Sequence, residues 1–423
     1  MMLLSLVLAA CTPKAPEGYD AWPEQTDVFP WVYTPEEDLE PYEEVRWETE
    51  TWDPGTDQDQ VGYYLFKALN HRVGAPEESL AHFDVMRDTL GDTSPGADDV
   101  SLSFVGDVMW MGENWSTFSL PSEGLLDGDL RIGNLETPTD PGRSFEPAEL
   151  GLYTFNAPPE MLDGLPLDVV QLNNNHSLDV DDAGLEATVA EVTARGLVAT
   201  GVDTHAVVDV GGHSIAILSY TWGLNRRDIR SAHDLFIVPF GHLDLDPFGP
   251  EIDALGEDIA AARADGAETV VVLVHWGYEY EYYPDPHYLR LGRRLVELGA
   301  DVVVGEGPHV AQPAELCHVN NPSIVPGIGT CSVRTEDGEP RTAAILYSLG
   351  NFGTTMPTLP CQAGIVANVS VGPDVTGLGW AAAVTVDTAE GLQVVPLADV
   401  LDDSDRAAEA ARLDAHLGVG WKR

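Results

Sequence analysis

Polar side chains of the kinds that bind metals or move protons recur where short apolar runs of this chain end. Asp107 follows SLSFVG, His176 closes the run NNNH after DVVQL, and His275 ends TVVVLVH. Glu136 and His309 extend the pattern within GNLE and GEGPH. In α/β proteins ligands bind beyond the carboxyl ends of the strands, so these side chains are candidates for one shared site.

Each of these residues has an ordinary explanation when it is taken singly. Gly-Asp after a strand is usually a turn, Asn-Asn-Asn-His suits a helix cap, and a buried histidine is usually a hydrogen-bonded core residue. Taken together, the Asp, Glu, Asn and His side chains form the oxygen and nitrogen donor set of Mn²⁺, Fe²⁺ or Zn²⁺. Converging carboxylates also need a cation to offset their repulsion. We therefore expect a site for one or two divalent metal ions.

The segments that must position these residues alternate between two patterns from residue 100 onward. Apolar runs of strand length include SIAILSY, DVVVG, AILYSLG and GIVANVSV, and stretches of helical pattern lie at 181–195, 250–265 and 287–299. Buried strands alternating with such helices predict an α/β fold whose sheets are covered by helices. The closing strands lack intervening helices and predict an antiparallel portion. A terminal helix over 404–416, capped by Ser404 or Asp405, is expected after them.

The composition predicts five segments along the chain. They are a signal peptide at 1–10, an acidic lipoprotein linker at 11–60, a helical extension at 61–99, the main domain at 100–400 and a C-terminal helix at 401–423. The run Leu8-Ala9-Ala10-Cys11 looks like the lipobox of bacterial lipoproteins, which implies cleavage before Cys11 and lipidation of its thiol. An ordinary secretory signal with a chance cysteine is the alternative. Both interpretations predict export, and the first adds a membrane anchor.

The net charge limits the possible binding partners, and the cysteines bear on disulfide formation in an oxidising compartment. Seventy acidic residues against 21 basic ones give a formal net charge of −49, which repels phosphate backbones and argues against a nucleic-acid partner. An anionic polymer would bind only at a locally neutralised site, such as one built on metal ions. In an oxidising compartment Cys317, Cys331 and Cys361 predict one disulfide and one spare thiol. We favour a Cys317–Cys331 bond, although the sequence alone leaves the connectivity open.

Six motifs in order resemble the CapA family of bacterial capsule-synthesis proteins over roughly residues 100–390. They are GDVM, NLE, NNH, HWGYEY, GADVVVG-x-x-PHV-x-Q and YSLGNF. The resemblance implies a four-layer α/β/β/α sandwich of the calcineurin-like metallophosphatase fold and a role in poly-γ-glutamate synthesis or transport. Carried over position by position, it implies that Asp107 is a first-metal ligand and that Glu136 is the carboxylate that bridges two metals. Asn175 and His275 would be ligands of the second metal, and His309 would be a further histidine ligand. His176 would be the acid that protonates a leaving oxygen.

The chain departs from the family pattern at Gly307. The family usually reads His-Pro-His where this chain reads Gly307-Pro308-His309, so one ligand of the second metal is missing. The carboxylate of Glu306 is a candidate replacement, although a shift of one residue at a strand end can point a side chain to the opposite face.

Further residues near these motifs are candidates for the pocket. Glu279 and Tyr280 match the family's pattern after His275, and they either line the pocket or form its rim. Asn351 either hydrogen-bonds to the site or shapes a turn, and Asp179 is expected to cap the following helix.

These observations predict a membrane-anchored envelope protein that handles an anionic polymer or a phosphorylated small molecule, with other capsule-synthesis proteins as partners. The surviving candidate ligands favour a metal-dependent hydrolase of phosphoester or γ-glutamyl linkages. Gly307 favours a non-catalytic binding or export component on a degenerate scaffold. A phosphodiesterase unrelated to capsule would share the fold and most ligands, and fold alone does not decide among the three. We lean towards an enzyme.

Overall fold

The computed structural model describes residues 68, 71, 74–91, 93–110, 125–145, 154–226, 229–240, 245–335, 338–389 and 391–423. The strands of this part of the chain are β1 Val100–Met109, β2 Leu130–Leu135, β3 Val169–Gln171, β4 Val198–Thr200, β5 Ala206–Val210, β6 His213–Thr221, β7 Thr269–His275, β8 Val302–Glu306, β9 Ala314–Val319, β10 Cys331–Val333, β11 Arg341–Leu346, β12 Asn351–Thr354, β13 Ala363–Val371, β14 Val375–Thr388 and β15 Gly391–Pro396. The α-helices are α1 Glu77–Met86, α2 Asp181–Ala194, α3 Pro250–Ala264, α4 Pro286–Glu297, α5 Leu359–Gln362 and α6 Ser404–Leu417, with 3₁₀ turns at Pro159–Gly164 and Leu397–Val400.

The strands form two sheets. The first has the order β15-β14-β13-β1-β2-β3-β4, and β12 also pairs with β1; the second has the order β10-β9-β11-β8-β7-β6-β5. Strands β1 to β4 are parallel, and so are β6, β7, β8 and β11. The closing strands β13, β14 and β15 are antiparallel, as their lack of intervening helices predicted. The carboxyl ends of each parallel set therefore lie at one edge of its sheet.

The central strands are buried along their length, which explains their apolar sequences. Every residue of β7, TVVVLVH, is buried, because a parallel strand covered on both faces has no solvent side. The following helix α4 begins sharply: the side chain of Asp285 accepts a 2.9 Å hydrogen bond from the backbone N–H of His287, and Pro286 occupies the first helical turn. Local sequence and tertiary burial thus agree on where the strand and the helix lie.

Helices cover the sheets on separate faces. Ile252 and Leu255 of α3 and Leu289 of α4 pack in one apolar cluster with residues of β6, β7 and β8. Leu185 of α2 packs in a second cluster with Leu135 and Val170 from the first sheet. Two multi-stranded sheets flanked by helices confirm the predicted α/β fold.

The terminal elements agree with the sequence in type and differ in detail. Helix α6 begins at Ser404, but its cap is Asp403, whose Oδ1 accepts from the N–H groups of Asp405 and Arg406 at 2.9 and 3.1 Å. The prediction of Ser404 or Asp405 as the cap was therefore wrong by one residue. In the extension, Phe83 and Met86 of α1 are buried in the main core.

The cysteine prediction is confirmed: Cys317 and Cys331 form a disulfide between β9 and β10, and Cys361 is a buried free thiol. The predicted signal peptide, Cys11 and the acidic linker lie outside the described residues, so the division of the chain into five segments stays a prediction. Among the helices that the structure describes, none combines the length and apolarity needed to cross a bilayer.

Candidate metal centre

The predicted ligands come from the adjoining strand ends of the two sheets. Asp107 lies near the end of β1, Glu136 follows β2, and His275 is the last residue of β7. His309 lies in the loop after β8. These four side chains are at most 3% exposed. The folding of both sheets thus brings together residues that lie far apart in the chain, such as Asp107 and His309.

The distances within the group are those of a compact ligand cluster. One ligand atom each from Asp107, Glu136 and His309 lie within 4.8 Å of one another. The closest approach of His309 to the carboxylates is 3.2 Å, between its Nδ1 and Asp107 Oδ2. His275 Nε2 lies 3.5 Å from Glu136 Oε1, and His309 Nδ1 lies 3.8 Å from Glu136 Oε2. Glu136 therefore has one carboxylate oxygen near each histidine.

A local irregularity of the backbone orients Asp107. The pairing of β1 with β2 shifts between Val105 and Asp107, so Gly106 forms a bulge that re-aims the next side chain. A Cβ at Gly106 would lie 1.7 Å from the backbone oxygen of Gly350, so only glycine fits there. The shift pairs Asp107 with Asn134, and Asn134 Nδ2 donates to Asp107 Oδ1 at 2.7 Å.

Two asparagines that the sequence analysis did not select support the carboxylates. Asn134 Oδ1 accepts from Asn174 Nδ2 at 3.0 Å, and Asn174 Nδ2 also donates to the backbone oxygen of Leu135. Asn134 also lies two residues before Glu136, which places both on one side of the strand path. Asn134 could have been selected from this spacing, because a polar residue two positions from a ligand in a buried strand needs a partner in the same pocket.

Burial and mutual repulsion control the charges of the centre. Burial and the charge of Asp107 raise the pKa of Glu136 well above its ordinary value. Burial likewise raises the pKa of Glu306 well above the ordinary range, with Asp107 and Glu136 adding to the shift. Burial also raises the pKa of Asp107, but hydrogen bonding and charge from His309 and His275 outweigh it and leave the pKa lowered. The pocket holds a concentration of acidic groups that its own cations do not balance.

The two histidines respond in opposite directions. Burial lowers the pKa of His275 to about 4, so its imidazole is neutral and can donate a lone pair to a metal. Although burial opposes it, the charge of Glu136 and the hydrogen bond with Asp107 raise the pKa of His309 to about 10. His309 therefore carries a proton that a bound cation would have to displace.

The donor set fits a divalent cation. Both carboxylate oxygens of Glu136 are buried and accept no hydrogen bond from the described residues. Carboxylate oxygens and imidazole nitrogens at these separations are the ligands of Mn²⁺, Fe²⁺ or Zn²⁺. A second acidic group, Glu315 beside Cys317 and Cys331, is no such candidate, because the disulfide occupies both sulfur atoms.

Beside this centre lies a histidine–carboxylate pair. His176 Nδ1 donates to Asp179 Oδ2 at 2.7 Å, and the same oxygen accepts from the backbone N–H of Phe155. The other ring nitrogen, Nε2, lies 3.4 Å from Asn225 Nδ2. Asp179 therefore orients the His176 ring and does not cap helix α2, which corrects the expectation that it caps the helix. Helix α2 instead begins at Asp181, whose own carboxylate accepts from Ala183 and Gly184.

The remaining predicted residues surround the centre. Asn175 is 5% exposed, and its Oδ1 has no hydrogen-bond partner among the described residues, as a ligand oxygen would require. Asn351 Oδ1 accepts from His309 Nδ1 at 2.9 Å, so Asn351 touches the site as well as lying at a strand start. The ring of Tyr280 is buried with its centroid 6.0 Å from that of His309, whereas Glu279 is half-buried. Tyr280 thus lines the pocket.

At position 307, where the family usually has a histidine, the backbone conformation of this chain favours glycine. Gly307 has φ of 111°, a conformation that side-chain-bearing residues rarely adopt. A Cβ there would lie 2.7 Å from the backbone oxygen of Trp276 and 3.3 Å from His275 Nε2. The backbone N–H of Gly307 instead donates to Asp107 Oδ2 at 3.2 Å. Gly307 thus acts through its backbone.

The fold and the site define a class of protein: an α/β sandwich with a carboxylate and imidazole centre where the two sheets' strand ends meet. The chain belongs to the family described as bacterial capsule synthesis protein PGA_cap, whose family model matches residues 101–355. The resemblance inferred from the motifs is thereby confirmed.

The chain is similar to several proteins of capsule or polyglutamine synthesis. It is 28% identical over 277 residues to the PGA biosynthesis protein CapA of Bacillus subtilis, an alignment that covers 60% of this chain and 64% of the relative. It is 26% identical over 278 residues to the capsule biosynthesis protein CapA of Bacillus anthracis, covering 60% of this chain and 59% of the relative. A probable polyglutamine synthesis accessory protein of Mycobacterium tuberculosis is 27% identical over 199 residues, covering 44% and 52%. The chain thus aligns with about three fifths of each Bacillus relative's length.

Proposed function

We propose that this protein binds one or two divalent cations and hydrolyses a phosphoester or a γ-glutamyl linkage during the synthesis or export of an anionic surface polymer. The observation that carries the proposal is the buried group of Asp107, Glu136 and His309, whose ligand atoms lie within 4.8 Å of one another. The polymer class is suggested by the names of the Bacillus relatives, a PGA biosynthesis protein and a capsule biosynthesis protein.

A cation bound in this centre would supply Lewis-acid chemistry at the reacting oxygen. Asp107, Glu136, His275 and His309 would hold it, with Asn175 as a further oxygen ligand. His176 would exchange a proton with the leaving oxygen at Nε2, because Asp179 holds the opposite ring nitrogen at 2.7 Å. The near-complete burial of these side chains excludes bulk water and strengthens every electrostatic interaction in the pocket.

A second candidate function has one specific observation in its favour. Gly307 offers no ligand, and its backbone conformation, with φ of 111°, disfavours any side chain. A centre that lacks this donor would bind its second cation weakly. The same fold would then serve as a binding or export component that captures an anionic polymer through a single cation without cleaving it.

Elemental analysis of the full chain, purified without chelator, tests the proposal together with an assay on bis-p-nitrophenyl phosphate. We expect one or two equivalents of transition metal, and less metal in His275→Ala. His176→Ala should lower turnover by about 10²–10⁴-fold with metal content unchanged, because the ring moves a proton. Bound metal without turnover would favour the binding role. No metal in the wild type, or unchanged metal in His275→Ala, would contradict the ligand assignment.

We also propose that the protein is exported and anchored through a lipid on Cys11, where it would act with other capsule-synthesis proteins. The proposal is supported by the run Leu8-Ala9-Ala10-Cys11 after an apolar segment. Mass spectrometry of the membrane fraction should find a diacylated N-terminal cysteine, and Cys11→Ser should release the protein from that fraction. An unmodified protein in the soluble fraction would overturn the anchor.

A further inference from the structure

The side chain of Glu306 has no assigned partner although it is buried at the end of β8. It is 2% exposed, and its Oε2 accepts no hydrogen bond from the described residues. No ion pair of Glu306 occurs in the part of the chain that the structure describes. A buried carboxylate is normally paired with a cationic side chain or hydrogen-bonded on both oxygens. Glu306 has neither arrangement, so its position needs another explanation.

The sheet geometry points Glu306 towards the metal centre. Strands β7 and β8 are parallel and in register, and His275 pairs with Glu306. Paired residues of neighbouring strands extend to the same side of a sheet, so Glu306 lies on the face that carries His275. The sequence had left this face open, because Glu306 precedes by one residue the position at which the family has its histidine.

A second contact places the carboxylate next to Asp107. A Cβ built on Gly106 would lie 3.1 Å from Glu306 Oε2, so the oxygen lies over the backbone immediately before Asp107. The absence of a side chain at Gly106 therefore leaves room for this carboxylate as well as for the backbone of Gly350. Oε2 of Glu306 and both oxygens of Glu136 are buried without a hydrogen-bond partner among the described residues, and the charges of Asp107 and Glu136 act on Glu306.

We propose that Glu306 is a metal ligand that acts beside His275 and Glu136, at the strand ends of β7 and β8. The inference rests on the proposed metal binding. Glu306 would supply a donor at the strand end where residue 307 cannot, because a Cβ at 307 would lie 2.7 Å from the backbone oxygen of Trp276. A carboxylate one residue earlier, on the correct face, replaces that donor without a side chain at the strained position.

The test is Glu306→Gln in the full chain, which preserves shape and removes charge, with two measurements. The first is the Kd and stoichiometry for Zn²⁺ by chelator competition. We expect one equivalent to be lost or bound at least about 10–100-fold more weakly, since even outer-shell partners have effects of that size. The second is the melting temperature in excess chelator. It should stay the same or rise, because a repelling buried charge has been removed.

Matched variants separate a ligand from a charge effect. Glu279→Gln removes a half-buried carboxylate whose charge also acts on Glu136 and His309, and it should change the Kd by less than Glu306→Gln does. Glu306→Asp keeps a carboxylate and should recover part of the affinity.

Three outcomes would overturn the inference. The first is that Glu306→Gln binds Zn²⁺ with wild-type stoichiometry and Kd. The second is that it melts well below the wild type in chelator, which would show a structural role. The third is that the wild type binds no metal, which would overturn the proposed function as well and is thereby distinguishable from the first two.

Discussion

The carboxylates of Glu315 and Glu136 are equally buried but differ in their hydrogen bonding. Glu315 on β9 is fully buried, and each of its oxygens accepts more than one hydrogen bond. Oε2 accepts from Arg293 Nε at 2.9 Å and from the Tyr347 hydroxyl at 2.8 Å, while Oε1 accepts from Arg293 and His82. Glu136 at the metal centre is equally buried, yet neither of its oxygens accepts a hydrogen bond from the described residues.

The pKa shifts of the two groups differ in sign for this reason. Burial raises the pKa of both carboxyls. For Glu315 the charge of Arg293 and the bond from His82 outweigh burial and lower the pKa below its ordinary value. For Glu136 the neighbouring charge of Asp107 adds to burial, and the pKa rises. The contrast teaches that a satisfied buried carboxylate holds a fold together, whereas an unsatisfied one is a candidate for an external cation.

The Glu315 group also explains how the N-terminal extension is held. The backbone N–H of Gly329 donates to His82 Nδ1 at 2.9 Å, so the proton of the ring lies on Nε2 and points to Glu315. His82 belongs to α1, Arg293 to α4 and Glu315 to β9. One carboxylate thus joins the extension, a covering helix and the second sheet.

The largest effect is expected from Glu315→Gln. Removing this charge leaves Arg293 buried without a counter-ion, which should reduce the free energy of unfolding by about 3–5 kcal/mol. Denaturant unfolding measures the loss. Glu268→Gln is a control, since its carboxylate is 57% exposed and should contribute less than about 1 kcal/mol. If Glu315→Gln were as stable as the wild type, hydrogen bonding of both oxygens would not distinguish the structural role of Glu315 from the role of Glu136.

The opposite result is expected from Glu136→Gln in excess chelator. This change removes a buried charge that accepts no hydrogen bond from the described residues and is repelled by Asp107, so the protein should keep its stability or gain about 1 kcal/mol. The same variant should lose Zn²⁺ binding because a carboxylate of the proposed ligand group is gone. A large destabilisation in chelator would place Glu136 with Glu315 as a structural carboxylate.

A smaller effect, in the pH dependence, sharpens the comparison further. The pKa of Glu136 is raised in the folded state. In excess chelator the wild-type protein should therefore lose stability as the pH rises from the ordinary pKa of this carboxyl, 4.5, towards its raised folded pKa. The stability advantage of Glu136→Gln over the wild type should therefore grow as the pH rises from 5.5 to 7.5. Glu315, with its lowered pKa, is ionised in both states over that range, so the loss in Glu315→Gln should stay constant. An advantage independent of pH would contradict the assignment of charge to Glu136.

Much of the fold could be predicted from the sequence because its signals are local. Continuous apolar runs such as TVVVLVH indicate strands buried on both faces, and residues that follow such runs in parallel strands meet at one edge. Asp107, Glu136, His275 and His309 were chosen on that basis, and the structure brings them together.

The supporting contacts could not be predicted, because they depend on register and on partners distant in sequence. The role of Asp179 depends on a hydrogen bond to His176 three residues away, and the helix-cap interpretation fitted the same letters. The side to which Glu306 points follows from the pairing of β7 with β8, which no local pattern specifies. The buried bond between His82 and Glu315 joins residues 233 positions apart.

Anomalous diffraction from crystals soaked with Zn²⁺ tests the central claim most directly. We predict a peak between the sheets' strand ends, about 2.0–2.2 Å from donor atoms of Asp107, Glu136 and His309, with Glu315 and its partners unchanged. Zinc bound only elsewhere on the acidic surface, with Glu136 still unliganded, would contradict the claim that its unsatisfied carboxylate marks a metal centre.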